Sequence, residues 1–257
     1  MTWWHSIILG VVEGITEFLP ISSTGHLILV GQWLKLPASE FLKSYEIVIQ
    51  LGAILAVVVL YWRRLLLNWE TIKKLAVAFV PTAVLGLVFY KFIKAYLLGN
   101  SLVVLVALFL GGCGLIVFEK IYQTKEIKKI AEDNVSYRQA LWIGLAQSLA
   151  MVPGVSRAAA TIVGGLAVGL PRKTIVEFSF LLAVPTMVAA TLWDLLKSDW
   201  WLISQQVDVL LIGLVVSFIV ALLAIKFLLK YIQNHNFIIF GIYRMILSLL
   251  LGYLMFF

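Results

Sequence analysis

Residues 13–26 read EGITEFLPISSTGH, between the apolar runs IILGVV (7–12) and LILVGQWL (27–34). Two glutamates, a run of hydroxyls, a proline and a histidine thus sit in the middle of an otherwise apolar stretch, 3–34. In a soluble protein this would be a polar loop between two core helices. In a bilayer it means something else. Proline and polar backbone survive at membrane depth only where they are buried in protein or line a watery cavity. Ionisable side chains there are functional by default. The fold therefore turns on whether the rest of the chain belongs in a membrane.

It does by composition. Of 257 residues 62% are hydrophobic and 13% charged, and mean hydropathy is +1.03. Soluble domains average about 45–50% apolar and about 25% charged. Six segments approach the length needed to cross: about 45–62, 75–96, 101–118, 175–196, 207–226 and 237–257. They are long and uniformly apolar, which suits helices and not the short alternating strands of a barrel. Two further regions are apolar but broken, 3–34 at LPISSTGH and 137–170 at VPGVSRAAAT. The expected fold is an all-α polytopic membrane protein: six spanning helices plus two re-entrant helix pairs. MTWWHSIILG lacks a basic leader, so no cleaved signal peptide is read. The single cysteine, Cys113 in GGCG, excludes an intrachain disulfide and reads as close helix packing.

The net charge of +7 follows the positive-inside rule. Lysine and arginine gather at segment ends: Arg63, Arg64, Lys73 and Lys74; Lys120, Lys125, Lys128, Lys129 and Arg138; Arg172 and Lys173; Lys226 and Lys230. Placing these in the cytoplasm puts Trp3, Trp4, Trp200 and Trp201 at the outer interface, where tryptophan is favoured. No basic stripe interleaved with aromatics suggests nucleic acid. In this topology the first broken hairpin, 3–34, enters from the outer side.

An internal repeat supports this topology. EIVIQLGAILAVVVLYW (46–62) and EFSFLLAVPTMVAATLW (177–193) both open with glutamate and close with tryptophan at the same spacing. Pro20 and Ser23 lie upstream of one, Pro153 and Ser156 upstream of the other. Each half holds one broken hairpin and three spans, so the second half is inverted relative to the first. The expected organisation is one membrane domain, 1–257, with repeats 1–118 and 137–257 and a cytoplasmic linker, 119–136. Breaks in inverted repeats point to the binding site.

Glu13 and Glu17 are four apart and share a helix face. Paired carboxylates in a low dielectric repel or recruit a cation. Ser22, Ser23 and Thr24 supply hydroxyls, and His26 lies three residues beyond Ser23. A hydroxyl, a base and carboxylates to orient that base is a layout for nucleophile activation; Ser22 or Ser23 also suits a helix N-cap. In the second break Arg157 offers a guanidinium fork that matches phosphate. Ser156 and the following helix start add an anion site, with Thr161 further along. Glu46 and Glu177, matched in the repeat, either pair with Arg157 or His26 or mark helix starts. No HExxH, Walker A loop or GxSxG occurs. These residues fit hydrolysis of a phosphate ester or anhydride. They also fit transport of a phosphorylated substrate.

LGVVEGITEFLPISSTGHLILVG (9–31) closely resembles the first signature of the bacterial undecaprenyl-diphosphatase family, the bacitracin-resistance type. The likeness continues at FLKSYEIVIQLGAILAVVVLYWRR, SYRQALWIG, PGVSRAAATIVGG and EFSFLLAVP. It implies a membrane phosphatase that removes the terminal phosphate of undecaprenyl diphosphate and so recycles the carrier for cell-wall synthesis. It implies inverted repeats, a site open to the outer side, and a divalent cation, Mg²⁺ or Ca²⁺. Carried over by position, the ExxxE pair and metal site fall on Glu13 and Glu17, the catalytic serine and histidine on Ser23 and His26, and the diphosphate-binding arginine on Arg157. Ser22, Thr24, Ser156 and Thr161 are the further phosphate-binding positions, with Glu46 and Glu177 in support. The partners implied are a polyprenyl diphosphate and membrane lipids, with a homodimer left open. Ala158 and Ala159 depart from the family's PGxSRSGAT. A transporter or flippase for a polyprenyl phosphate or another anion is the alternative.

Overall fold

The computed structural model describes residues 1–37, 39–97, 100–123, 134–195 and 206–256. Lys125, Lys128, Lys129, Trp200 and Trp201 lie outside these residues, as does most of the expected linker. All regular elements among the described residues are helices. They are α1 (Trp3–Thr16), α2 (Ser23–Trp33), α3 (Glu40–Leu67), α4 (Trp69–Val88), α5 (Ser101–Gln123), α6 (Tyr137–Gln147), α7 (Arg157–Ala167), α8 (Arg172–Leu195), α9 (Val207–Tyr231) and α10 (Ile238–Phe256).

Six helices, α3, α4, α5, α8, α9 and α10, are long and apolar enough to cross a membrane. Each corresponds to one segment read from hydropathy. The ends differ because caps, not hydropathy, set them. Asn68 accepts the Thr71 amide through its side chain and starts α4 before Lys73 and Lys74. Ser39 does the same for α3 through Leu42. The expected end at 96 also moves: α4 stops at Val88, and a short helical turn and a π turn, Ile93–Leu97, follow.

The four remaining helices have 11 to 14 residues. At 1.5 Å per residue they are roughly 16–21 Å long, short of a hydrocarbon core of about 30 Å. They pair in sequence, α1 on α2 and α6 on α7. α1 also packs along α9, and α6 along α4.

Small residues set these approaches. A Cβ on Gly10 would stand 2.9 Å from the Gly213 carbonyl oxygen, and one on Gly14 2.7 Å from that of Ser217. One on Gly52 of α3 would collide with the Leu214 carbonyl and the Ser217 hydroxyl of α9. Backbone cannot yield there as a side-chain tip can. Gly52→Ala is therefore expected to destabilise the protein by about 1–3 kcal/mol, read as a lowered unfolding temperature in detergent. Cys113 fills a comparable role, with its Sγ 3.7 Å from Met245 Sδ between α5 and α10.

The basic segment ends gather where α3 and α5 finish and α4, α6 and α8 begin. Arg64 pairs with Glu177. The Tyr137 hydroxyl donates to Glu70 at 2.8 Å. Arg172 grips buried Glu119 through both guanidinium nitrogens, and Glu119 Oε1 also accepts the Phe237 amide at 3.0 Å. Glu119 thus ties α5 to α8 and to the segment that opens α10.

Candidate active site

Both breaks are built alike. After α1 the chain turns through Glu17–Ile21, and Ser22 takes φ 72°, ψ 98° directly before α2. After α6 a 3₁₀ turn, Ser148–Met151, leads through Pro153 and Gly154, and Ser156 takes φ 75°, ψ 114° directly before α7. Positive φ costs a non-glycine residue of order 1–3 kcal/mol, and such strain concentrates at functional sites. The matched serines are thus Ser22 and Ser156, not Ser23 and Ser156. Ser156 Oγ caps α7 by accepting the Ala159 amide at 3.2 Å, whereas the Ser22 side chain makes no capping bond.

The breaks meet across a cavity of about 280 Å³, whose walls include Glu17, Ser22, Ser23, Thr24, Gln50, Gln147, Ser156 and Arg157. Glu17 is its hub. Ser23 Oγ donates to Glu17 Oε2 at 2.6 Å, and Arg157 donates to Glu17 Oε1 at 3.1 Å. Arg157 is anchored from behind by the Ser179 carbonyl at 2.9 Å and rests over the Phe18 ring. Its Nε is buried with no acceptor. One strong donor behind the wall is therefore left unsatisfied, which is costly unless an acceptor reaches it.

Several residues read from sequence stand behind this cavity instead of in it. Glu13 is fully buried one turn behind Glu17, and neither of its oxygens has a hydrogen-bond partner. It shares its electrostatic surroundings with Glu17, Glu46 and Arg157. His26 does not meet Ser23. Its Nδ1 lies 2.8 Å from the Ser22 carbonyl, which can only accept, so Nδ1 carries the proton there. Its Nε2 faces the Tyr243 hydroxyl at 2.7 Å. The first turn of α2 points the ring away from the cavity. Thr161 is no phosphate ligand in this arrangement: its hydroxyl bonds the Arg157 carbonyl and Ser179 Oγ, at 2.9 and 2.6 Å, and so braces the residue that anchors Arg157. Glu177 pairs with Arg64, and with neither Arg157 nor His26. Neither Glu46 nor Glu177 starts a helix; each lies more than a turn inside α3 or α8. Ala158 packs in the main core and Ala159 is buried beside it. Neither lines the cavity.

Three positions escaped the sequence reading. Gln147 is buried and donates to Thr82 and Thr186 at 2.9 and 3.1 Å, closing the cavity on the α4 and α8 side. Tyr243 partners His26. Arg244 is wholly buried and donates to the Gly154 and Ala107 carbonyls at 3.0 and 3.2 Å, with a long 3.5 Å contact to the Pro20 carbonyl. It touches both breaks. The signal was present as an arginine inside the apolar run 237–257.

A hydroxyl on a carboxylate, beside a guanidinium with a spare N–H, is equipped to take a phosphate group and move a proton. A model of the family described as Bacitracin resistance protein BacA matches residues 6–250. The chain belongs to this family. Relatives named undecaprenyl-diphosphatase agree over nearly the full length. That of Aquifex aeolicus is 49% identical over 97% of each chain. That of a Sulfurihydrogenibium species is 52% identical over 97% of this chain and 98% of its own. That of Wolinella succinogenes is 50% identical, again over 97% of both.

Proposed function

We propose that this protein hydrolyses undecaprenyl diphosphate to undecaprenyl phosphate and inorganic phosphate, recycling the lipid carrier for peptidoglycan synthesis and conferring bacitracin resistance. The observation that carries the mechanism is the Ser23–Glu17–Arg157 chain joining the two breaks around one cavity. The unsatisfied Arg157 Nε takes a phosphate oxygen, and the guanidinium turns from Glu17 toward the anion. Glu17 is then free to accept the Ser23 proton. Ser23 Oγ bonds to the terminal phosphorus as the bond from that phosphorus to the bridging oxygen breaks, and undecaprenyl phosphate leaves. Water hydrolyses the phosphoserine and releases phosphate. In the rival version water attacks directly and Ser23 positions the phosphate. The 2.6 Å bond from Ser23 to Glu17 supports the first. His26, held by Ser22 and Tyr243, positions the first turn of α2.

Glu13 and Glu17 fit a divalent cation, Mg²⁺ or Ca²⁺. The donors are all oxygen, which suits a hard ion, and both Glu13 oxygens are buried without a partner. Among the described residues no three ligating side chains converge, so phosphate oxygens and water would complete the shell, as is usual for Mg²⁺. Such an ion supplies charge stabilisation to the phosphoryl oxygens.

Two re-entrant pairs, α1–α2 and α6–α7, in two inverted repeats complete the proposal. It is supported by the shortness of these helices, by the matched Ser22 and Ser156 conformations, and by reciprocal packing, α1 on α9 and α6 on α4. The repeats are 1–118 and 137–257 of one membrane domain. The cavity opens to the outer face of the cytoplasmic membrane, supported by the basic ends lying away from it.

Purified protein in detergent is expected to release phosphate from undecaprenyl diphosphate. Chelation should suppress release, Mg²⁺ or Ca²⁺ should restore it, and Glu13→Gln should abolish that restoration. No release from folded, metal-loaded protein would sink the hydrolase. A metal response unchanged in Glu13→Gln would remove the metal role.

A further inference from the structure

A second cavity, of about 380 Å³, opens among the end of α3, the start of α4, residues 134–135 and the start of α8. It is separate from the first. Lys173 is 13 residues before Thr186 on α8, about 20 Å along the helix axis. Its wall holds three cations, Arg64, Lys74 and Lys173, against one carboxylate, Glu177. Arg64 and Glu177 neutralise each other. Lys74 lies over the Tyr137 ring, 5.9 Å from its centre, and Lys173 is exposed. Among the described residues neither lysine makes an ion pair. Glu70, one turn before Lys74 on α4, interacts with the Lys74 charge but is itself held by Lys73 and the Tyr137 hydroxyl, so this concave, polar site keeps an excess of positive charge that attracts an anion. Asn68, Thr71 and Thr174 add hydrogen-bonding groups to the wall.

The setting narrows the class of anion. The chain that forms one side of the cavity exposes Trp62, Leu66, Leu67 and Trp69. Exposed tryptophan beside exposed leucine marks the level where hydrocarbon gives way to headgroups. A basic pocket between helices at that level recognises acidic lipid headgroups.

We infer that this pocket binds the phosphate of an anionic phospholipid headgroup from the surrounding bilayer. A bound headgroup bridges Lys74 on α4 and Lys173 on α8, and so holds together the ends of two helices that also wall the catalytic cavity. The inference does not depend on the hydrolase reading.

The test titrates delipidated full-length protein in detergent with phosphatidylglycerol, phosphatidylcholine or inorganic phosphate, counting bound lipid by native mass spectrometry and following the unfolding temperature. Phosphatidylglycerol is expected to bind and raise the unfolding temperature, and phosphatidylcholine is not. At about 1 kcal/mol for each cation near the surface, Lys74→Ala with Lys173→Ala should weaken phosphatidylglycerol about 30-fold. The single Lys173→Glu, at an exposed position where folding is not at stake, should weaken it at least as much by reversing a charge. Phosphate release from undecaprenyl diphosphate should be retained in Lys173→Glu. Unchanged phosphatidylglycerol binding in both variants would overturn the site. Stabilisation by inorganic phosphate at the concentration that serves for the lipid would assign the pocket to a free anion and overturn the lipid assignment.

Discussion

Arg157→Ala is expected to lower kcat for phosphate release by about 10²–10³-fold, the loss typical when one preorganised donor to a developing charge is removed. The guanidinium has two roles. In the resting site it neutralises Glu17, at 3.1 Å. In the proposed reaction it leaves Glu17 for the phosphate. Alanine removes both, and it leaves the Glu17 carboxylate buried with only Ser23 as donor. Breaking a buried pair from one side costs about 3–5 kcal/mol, so part of the damage falls on stability. Two further variants separate the effects. Arg157→Lys keeps the charge but loses the fork and should recover stability more than rate. Arg157→Ala with Glu17→Gln removes the stranded charge and should recover the unfolding temperature with no recovery of kcat. Steady-state rates beside thermal melts of the four proteins read this. Because Glu17 is itself the proposed base, the double variant reports on stability alone and the rate test rests on Arg157→Lys: wild-type kcat there would mean that the charge, and not the fork, serves the reaction.

The six spans were legible because each is a long apolar run, and hydropathy is a sum over many residues that no single side chain upsets. Their ends were less so, because one capping residue such as Asn68 moves a boundary past lysines that hydropathy assigns to a loop. The first break was legible for the same reason in reverse: Glu13, Glu17, Ser23 and His26 have no business in an apolar stretch unless they do something there. Their mutual arrangement was not. Ser23 and His26 share a spacing that lets them meet on a regular helix, but Ser22 at positive φ starts the helix so that Ser23 faces Glu17 and His26 faces Tyr243. The repeat misled at Glu177. Its match to Glu46 is real in sequence, yet Arg64 claims it, a partner 113 residues away that no local pattern indicates. Thr161 misled likewise, since a hydroxyl near a phosphate-binding helix start reads as a ligand until Ser179 is placed beside it.

Arg244 carries the second large expectation. A buried charge survives only when paired or thoroughly hydrogen-bonded, and no carboxylate faces this one among the described residues. Its acceptors among the described residues are backbone carbonyls, Gly154 at 3.0 Å and Ala107 at 3.2 Å, with Pro20 at the limit of a hydrogen bond. Gly154 belongs to the second break, Pro20 to the first, and Ala107 to α5. One guanidinium therefore fixes the spacing of the two loops whose side chains must meet around phosphate. Gly111 makes room for it, since a Cβ there would collide with the guanidinium. Misplacing reacting groups by about 1 Å can cost 10²-fold. Arg244→Ala and Gly111→Ala should each lower kcat by roughly that factor, one by deleting the guanidinium and the other by displacing it. The spacing matters most when phosphate is gripped from both breaks at once, so kcat should fall more than KM rises. A purely structural role predicts something else: fewer folded molecules with the kcat of each unchanged. Titrating the folded fraction by size-exclusion chromatography before measuring rates distinguishes the two. Wild-type kcat per folded molecule in both variants would leave Arg244 as a core residue and require another device to hold the breaks in register.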